Sequence, residues 1–134
     1  MNTRAEREAM CHALYEGAGI FALLGIEAPV LDEVECTQRW VIGPEHTGIT
    51  RTMHGGMVVV LADSLSAFVV MMSMGAGMFT TTDLTVQYLR PMVGAVVAKG
   101  RLVKGGRRFA TVVVEVSEEG KEIGALVVMK LLLR

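Results

Sequence analysis

Gly55-Gly56-Met57-Val58-Val59-Val60-Leu61-Ala62-Asp63-Ser64-Leu65-Ser66-Ala67-Phe68-Val69-Val70-Met71-Met72-Ser73-Met74 decides the fold. It reads as one helix, apolar nearly all round, that Gly75 and Gly77 bring to an end. The apolar run extends over Met57 to Phe79, long enough to raise the question of a membrane span. Asp63, Ser64, Ser66 and Ser73 fall inside it, and an acid near the centre of a span costs roughly 2.5–3.5 kcal/mol on insertion scales. The flanks read as soluble β-structure. The expectation is a helix buried on all sides by its own protein, with no membrane span.

Downstream lie four strands. Thr81–Leu89 alternates, with Leu84, Val86 and Tyr88 on its apolar face, and Pro91 stops it. Ala95–Val103 follows, then a Gly105-Gly106 turn. In Arg108–Ser117, Ala110, Val112, Val114 and Val116 share a face. A Glu119-Gly120 turn leads into Glu122–Leu133. Upstream, Gly43–Met53 is a loop and Val34–Ile42 an alternating strand with Val34, Cys36, Trp40 and Ile42 on one side. Ile26–Leu31 is a short extended piece, and Arg4–Leu24 has helical spacing with Gly25 as its stop. This order predicts an α+β chain whose antiparallel sheet wraps the central helix. Residues 1–134 make one domain, with an N-terminal helical segment at 1–24 and the sheet and central helix at 25–134.

Composition narrows the function. A net charge of -1 with aromatic residues at only 5% leaves no basic excess and few stacking platforms, which argues against nucleic acid as a partner. Cys11 and Cys36 fit no metal or disulfide spacing, and His12, His46 and His54 have no ligand spacing with acids or cysteines, so no metal is expected. Met1–Glu8 lacks the apolar stretch of a signal peptide. Reduced cysteines then fit a cytoplasmic protein.

The chemistry centres on the start of the helix. A terminus opening at Gly-Gly offers free N–H groups, allows close approach of a ligand, and carries the positive end of the helix dipole. It can polarise a carbonyl or hold an oxyanion. His54, just before it, can bond a substrate or orient a neighbour. Asp63 is the one acid of the helix, and a carboxylate on a buried face is costly unless paired or at work. Taken alone, a Gly-Gly pair only begins a helix, and a lone acid only satisfies something buried. Together they make a candidate site. Gly56 and Asp63 are seven residues apart on one face, roughly 10 Å along the axis at ~1.5 Å per residue. One carbonyl carbon cannot reach both. Two copies of the helix, antiparallel about a two-fold axis, would bring the glycine of one chain to the acid of the other.

Met53-His54-Gly55-Gly56, with Asp63 following, resembles the active-site helix of hotdog-fold acyl-CoA thioesterases, in particular the group related to the phenylacetate-pathway (PaaI-like) thioesterase. Asp83-Leu84-Thr85-Val86-Gln87-Tyr88-Leu89-Arg90-Pro91 resembles that group's next strand, and the Gly105-Gly106-Arg107-Arg108 hairpin and Glu119-Gly120 turn also fit. The likeness spans about residues 20–132. It implies a hotdog fold, dimers often paired into tetramers, and hydrolysis of an acyl-CoA. It implies Asp63 as general base for water or as nucleophile, and the Gly55 N–H as the group that polarises the thioester. His54 would orient substrate, Gly56 would contact it, and the Thr81 hydroxyl would help hold the water. Six residues before the His, where the family usually has Asn or Gln, this chain has Gly48. Thr47, Thr50 and Thr52 are the nearby alternatives.

Between Asp83 and Glu115 the chain has no acid but holds Arg90, Lys99, Arg101, Lys104, Arg107 and Arg108. Such charge suits the phosphates of coenzyme A, part of the substrate rather than a cofactor, and it equally suits a guarded sheet edge. Arg90, Pro91, Arg107 and Arg108, at strand ends, are the candidates for coenzyme contact. The rival reading is a non-catalytic acyl-CoA-binding or sensing module on the same fold. The acyl group stays open among small aryl and aliphatic acids. The methionines from Met71 to Met78 either pack the core or line an adaptable pocket.

Overall fold

The computed structural model describes residues 3–75 and 77–134. Met1, Asn2 and Ala76, all inside the expected 1–134 domain, lie outside the described residues. The elements are α1 (Arg4–Gly17), α2 (Gly19–Leu24), β1 (Cys36–Val41), a 3-10 turn (Pro44–His46), α3 (Gly55–Met74), β2 (Phe79–Tyr88), β3 (Ala95–Gly105), β4 (Phe109–Glu118) and β5 (Ile123–Leu133). One antiparallel sheet runs in the order β1-β3-β4-β5-β2 and curves around α3.

The central helix has the bounds that its sequence dictates. His54 caps it at one end and Gly75, at φ 70°, closes it at the other. Val58, Leu61, Leu65, Phe68, Val69 and Met72 are buried against the sheet. Facing them are Val96 and Ala98 of β3, Ala110 to Val116 alternately on β4, and Val127, Met129 and Leu131 of β5. Each Val, Leu, Phe or Met side chain among them withdrawn from water is worth roughly 1.5–3 kcal/mol. The helix is long and apolar enough to cross a membrane by length and composition alone, but it is the core helix of this sheet. Met71 and Met72 are core residues. At Gly100 the packing is tight: a Cβ there would stand 2.9 Å from Val69 and 3.2 Å from Leu65.

Three features depart from the sequence reading. The N-terminal helix is broken at Ala18, whose backbone is extended (φ -87°, ψ 111°). Gly17 and Gly19 on either side weaken the helix there, and the break lets Phe21 stack on Tyr15 at 4.9 Å between centroids and approach Phe68 at 5.8 Å. Second, β2 starts at Phe79, two residues early, with its register shifting between Thr81 and Asp83. Third, β1 begins at Cys36, so Val34, expected on its apolar side, lies outside the strand and is exposed, while Gln38 shares the buried side with Cys36 and Trp40.

The N-terminal segment is tied down by side-chain donors to its backbone. Trp40 Nε1 donates to Leu24 O (2.9 Å), Gln38 Nε2 to Glu27 O (2.9 Å) and Tyr15 Oη to Ile26 O (2.6 Å). From α1, Arg7 donates to Met72 O (2.9 Å) in the last turn of α3, where a cation complements the helix dipole. Between β2 and β3, residues 89–94 cross the end of the sheet and meet the loop before α3, with Met53 N donating to Met92 O (2.8 Å).

Candidate active site

The start of α3 is built by His54. Its Nδ1 accepts the Gly56 N–H (2.8 Å), so a neutral ring carries its proton on Nε2. The cap thus occupies one of the helix's free N–H groups. The Gly55 N–H has no acceptor among the described residues. Gly55 and Gly56 line a cavity of about 480 Å³ with Thr52, Tyr88, Arg90 and Pro91. The approach at Gly55 is close: a Cβ would lie 3.0 Å from the Tyr88 hydroxyl oxygen, so a larger residue there would push the tyrosine aside.

Two turns on, Asp63 opens onto a second cavity, of about 830 Å³. Its walls are Leu14, Ile20, Phe21, Phe68, Phe79 and Leu131, and its polar groups include Thr81 and Arg134. Asp63 was expected to be buried; it is half-buried, because its helix face looks into this opening rather than at the sheet. Thr81 Oγ1 donates to Asp63 Oδ1 (2.6 Å), so the hydroxyl touches the acid itself. Of the predicted methionines, Met78 lines this cavity.

The structure therefore separates what the sequence put on one helix. His54, Gly55 and Gly56 stand at one cavity and Asp63 and Thr81 at another. The basic residues, expected as one patch on adjacent strands, separate in the same way. Arg90 and Pro91 follow the end of β2 that pairs Tyr88 with Ala125. Arg107 and Arg108 turn between β3 and β4 at the opposite end, where Phe79 pairs with Leu133 and Leu133 N donates to Arg108 O (2.7 Å). An antiparallel sheet alternates its ends, so residues close in sequence register lie a strand's length apart. Lys99 and Arg101 are exposed on β3 between them.

Gly48 lies against His54: a Cβ there would stand 3.4 Å from the ring's Cδ2. Of the nearby threonines, Thr47 donates to Pro44 O (2.7 Å) and Thr50 pairs with Thr52 (3.0 Å), leaving Thr52 at the Gly55 cavity. Two residues at the cavities were not singled out by sequence. Tyr88 had a signal, its place at the end of an apolar face beside Arg90-Pro91. Arg134, at the rim of the larger cavity, had none. Among the described residues, no three His, Cys, Asp or Glu side chains gather as a metal site would require.

Comparison with known proteins agrees with this architecture. The PaaI protein of the phenylacetic acid degradation operon of Escherichia coli superposes with a TM-score of 0.88 at 19% identity, covering 98% of this chain and 95% of that one. A variant of the phenylacetic acid degradation protein PaaI from Thermus thermophilus gives 0.79 at 28% identity, over 87% of this chain and all (100%) of that one. A thioesterase of Haemophilus influenzae gives 0.82 at 18%, over 91% and 86%. The first and third speak to the fold alone. No curated protein sequence matches the chain significantly. The model of the Thioesterase superfamily matches residues 51–125, more than half of the 134. These residues run from the helix start through β4 into β5, and with the hotdog architecture around them, the chain belongs to the thioesterase superfamily.

Proposed function

We propose that the protein hydrolyses acyl-CoA thioesters with a small aryl or aliphatic acyl group, at sites shared between two copies of the chain. The observation that carries this reading is the division of Gly55 and Asp63 between separate cavities. β2 is an edge strand, with β5 on its inner side only. Two β2 edges paired antiparallel about a two-fold would set the Thr81 end of one against the Tyr88 end of the other. The Asp63 cavity of each chain would then adjoin the Gly55 cavity of its partner. The same pairing would bring Arg90 of one chain toward Arg107, Arg108 and Arg134 of the other, in reach of the phosphates of coenzyme A.

In this site Asp63 takes a proton from water as the water oxygen bonds to the thioester carbon. The developing oxyanion lies at the partner's Gly55 N–H. The C–S bond breaks, and the proton passes from Asp63 to the departing thiolate. The acyl group rests among Phe21, Phe68, Phe79 and Leu131, which offer it apolar walls. The residues used are the chain's own, with coenzyme A entering as part of the substrate.

Gly48 favours the rival, a non-catalytic acyl-CoA-binding module, because it removes a side-chain donor beside His54. One experiment separates the two. Free thiol is measured while the protein and its Asp63→Asn variant are incubated with aryl-, short- and medium-chain acyl-CoAs. Hydrolysis predicts turnover of at least one substrate and its loss in the variant. Tight binding across the panel with no thiol released establishes the rival.

A further inference from the structure

We propose that Tyr88 is a positioning residue that fixes the helix terminus receiving the thioester carbonyl, an inference that rests on the thioesterase reading. The Tyr88 hydroxyl donates to Gly55 O at 2.8 Å. That carbonyl belongs to the first peptide of α3, so the bond sets the plane of the Gly55–Gly56 unit from outside the helix. The ring lies flush against Gly55: a Cβ would stand 3.0 Å from Oη, 3.2 Å from Cζ and 3.4 Å from Cε1. On the other side, His54 Nδ1 holds the Gly56 N–H at 2.8 Å. The turn is clamped at two points, a donor from β2 and an acceptor from the cap. Both contacts act on the Gly55–Gly56 peptide; the Gly55 N–H, on the peptide before it, is joined to that clamped unit through the Gly55 Cα, and Gly55 and Tyr88 line one cavity.

Tyr88 stands on a fixed platform. It is the last residue of β2, and the next two N–H groups, of Leu89 and Arg90, both donate to Gly124 O (2.8 and 3.1 Å). A Cβ on Gly124 would overlap Met92, so the crossing segment is seated closely on β5. The ring's direction is therefore inherited from the sheet.

The bond serves geometry more than folding. The bond is exposed and Tyr88 is 57% accessible, so Gly55 O would find water in place of the hydroxyl with little loss of stability. An oxyanion donor is different: its worth depends on being aimed before the charge develops. Such a device lowers kcat when removed and leaves KM almost alone.

The test is Tyr88→Phe, which keeps the ring and removes the donor, with Tyr88→Leu as a second variant that removes the ring. Three quantities are read: thiol release, thermal stability, and hydrogen exchange of the Gly55 and Gly56 amides by NMR without substrate. Expected for Tyr88→Phe are a roughly tenfold fall in kcat with KM within about twofold, an unchanged Tm, and Gly56 exchange faster by about tenfold. Tyr88→Leu should exceed it in both kcat loss and exchange. Unchanged exchange overturns the proposal whatever the rates do, because the hydroxyl is then not holding the turn. A rise in KM with kcat intact also overturns it, placing Tyr88 in substrate binding. If the parent protein releases thiol from no acyl-CoA, the thioesterase reading fails, and the amide exchange still decides whether Tyr88 clamps the turn.

Discussion

Thr81 Oγ1 donates to Asp63 Oδ1 at 2.6 Å, joining the start of β2 to the middle of α3. A hydroxyl has one proton to give, so the bond holds one carboxylate oxygen and leaves Oδ2 for the cavity. Thr81→Val keeps the shape and removes the donor. Its kcat for thiol release should drop roughly tenfold with KM little changed, and Thr81→Ser should restore most of it. Equal loss in the Ser and Val variants would show that the methyl group matters and the hydroxyl does not.

Shared sites make a prediction about mixtures. Asp63→Asn chains retain Gly55, and Gly55→Val chains retain Asp63. Each is expected to be nearly inactive alone, the Val side chain displacing Tyr88 from its 3.0 Å approach. Unfolded together and refolded, they form a mixed dimer with one intact site. Random pairing makes half of the dimers mixed, so about a quarter of the parent activity should return. Thiol release that stays at the level of the separate variants refutes sharing.

Much of this was legible in the residues, and the reasons differ by feature. α3 declared both ends because Gly55-Gly56 and Gly75 bracket a run with too few polar residues for a surface helix. The strands of the second half declared themselves by alternation, Ala110 to Val116 most clearly. Even the impossibility of one site on one helix followed from counting turns. Strand order did not: nothing local in β2 says that it pairs with β5 and not with its neighbour β3. Without that order Arg90 and Arg107 look like one patch, although they lie at opposite ends of the sheet. Tyr88 was read as an apolar-face residue, since a 2-residue period cannot tell a ring that packs from a hydroxyl that donates.

Gly48 offers a gain of function. A Cβ there would meet His54 Cδ2 at 3.4 Å, an ordinary contact, and the backbone does not require glycine. Gly48→Asn should therefore fold normally and place an amide beside the imidazole. Thiol release should rise several-fold in kcat at unchanged Tm. A fall in activity at unchanged Tm would mean that the imidazole needs that space free.

The seat of α3 on the sheet is close at Gly100, where it meets fully buried side chains. At Gly100 a methyl would stand 2.9 Å from Val69 Cγ2 and 3.2 Å from Leu65 Cδ2, both on buried side chains with packed neighbours. Gly100→Ala should destabilise the protein by about 1–3 kcal/mol in urea unfolding. Gly17→Ala, where no atom lies within 4 Å, should not. Similar losses at both positions would show that the close contacts with Val69 and Leu65 do not set the cost.

The two cysteines predict an alkaline limit to stability. Burial pushes the Cys11 thiol from its ordinary value of 9.0 up to about 12, with Cys36 and Glu8 adding to the shift. The Cys36 thiol is raised too, again chiefly by burial. The folded state thus holds the proton more tightly than the unfolded chain does. Its contribution to stability is fully present below about pH 9 and is lost as pH rises through the folded value. Urea midpoints should be level from about pH 7 to 8.5 and decline above 9, where the unfolded chain gains thiolates that the core refuses. Cys11→Ala should lower stability at neutral pH by leaving a cavity, yet flatten the alkaline decline. Iodoacetamide should label both thiols slowly in the folded protein at pH 8 and quickly in urea. If Cys11 is labelled at the same rate in both, the thiol is not held in the core and the alkaline decline must have another source.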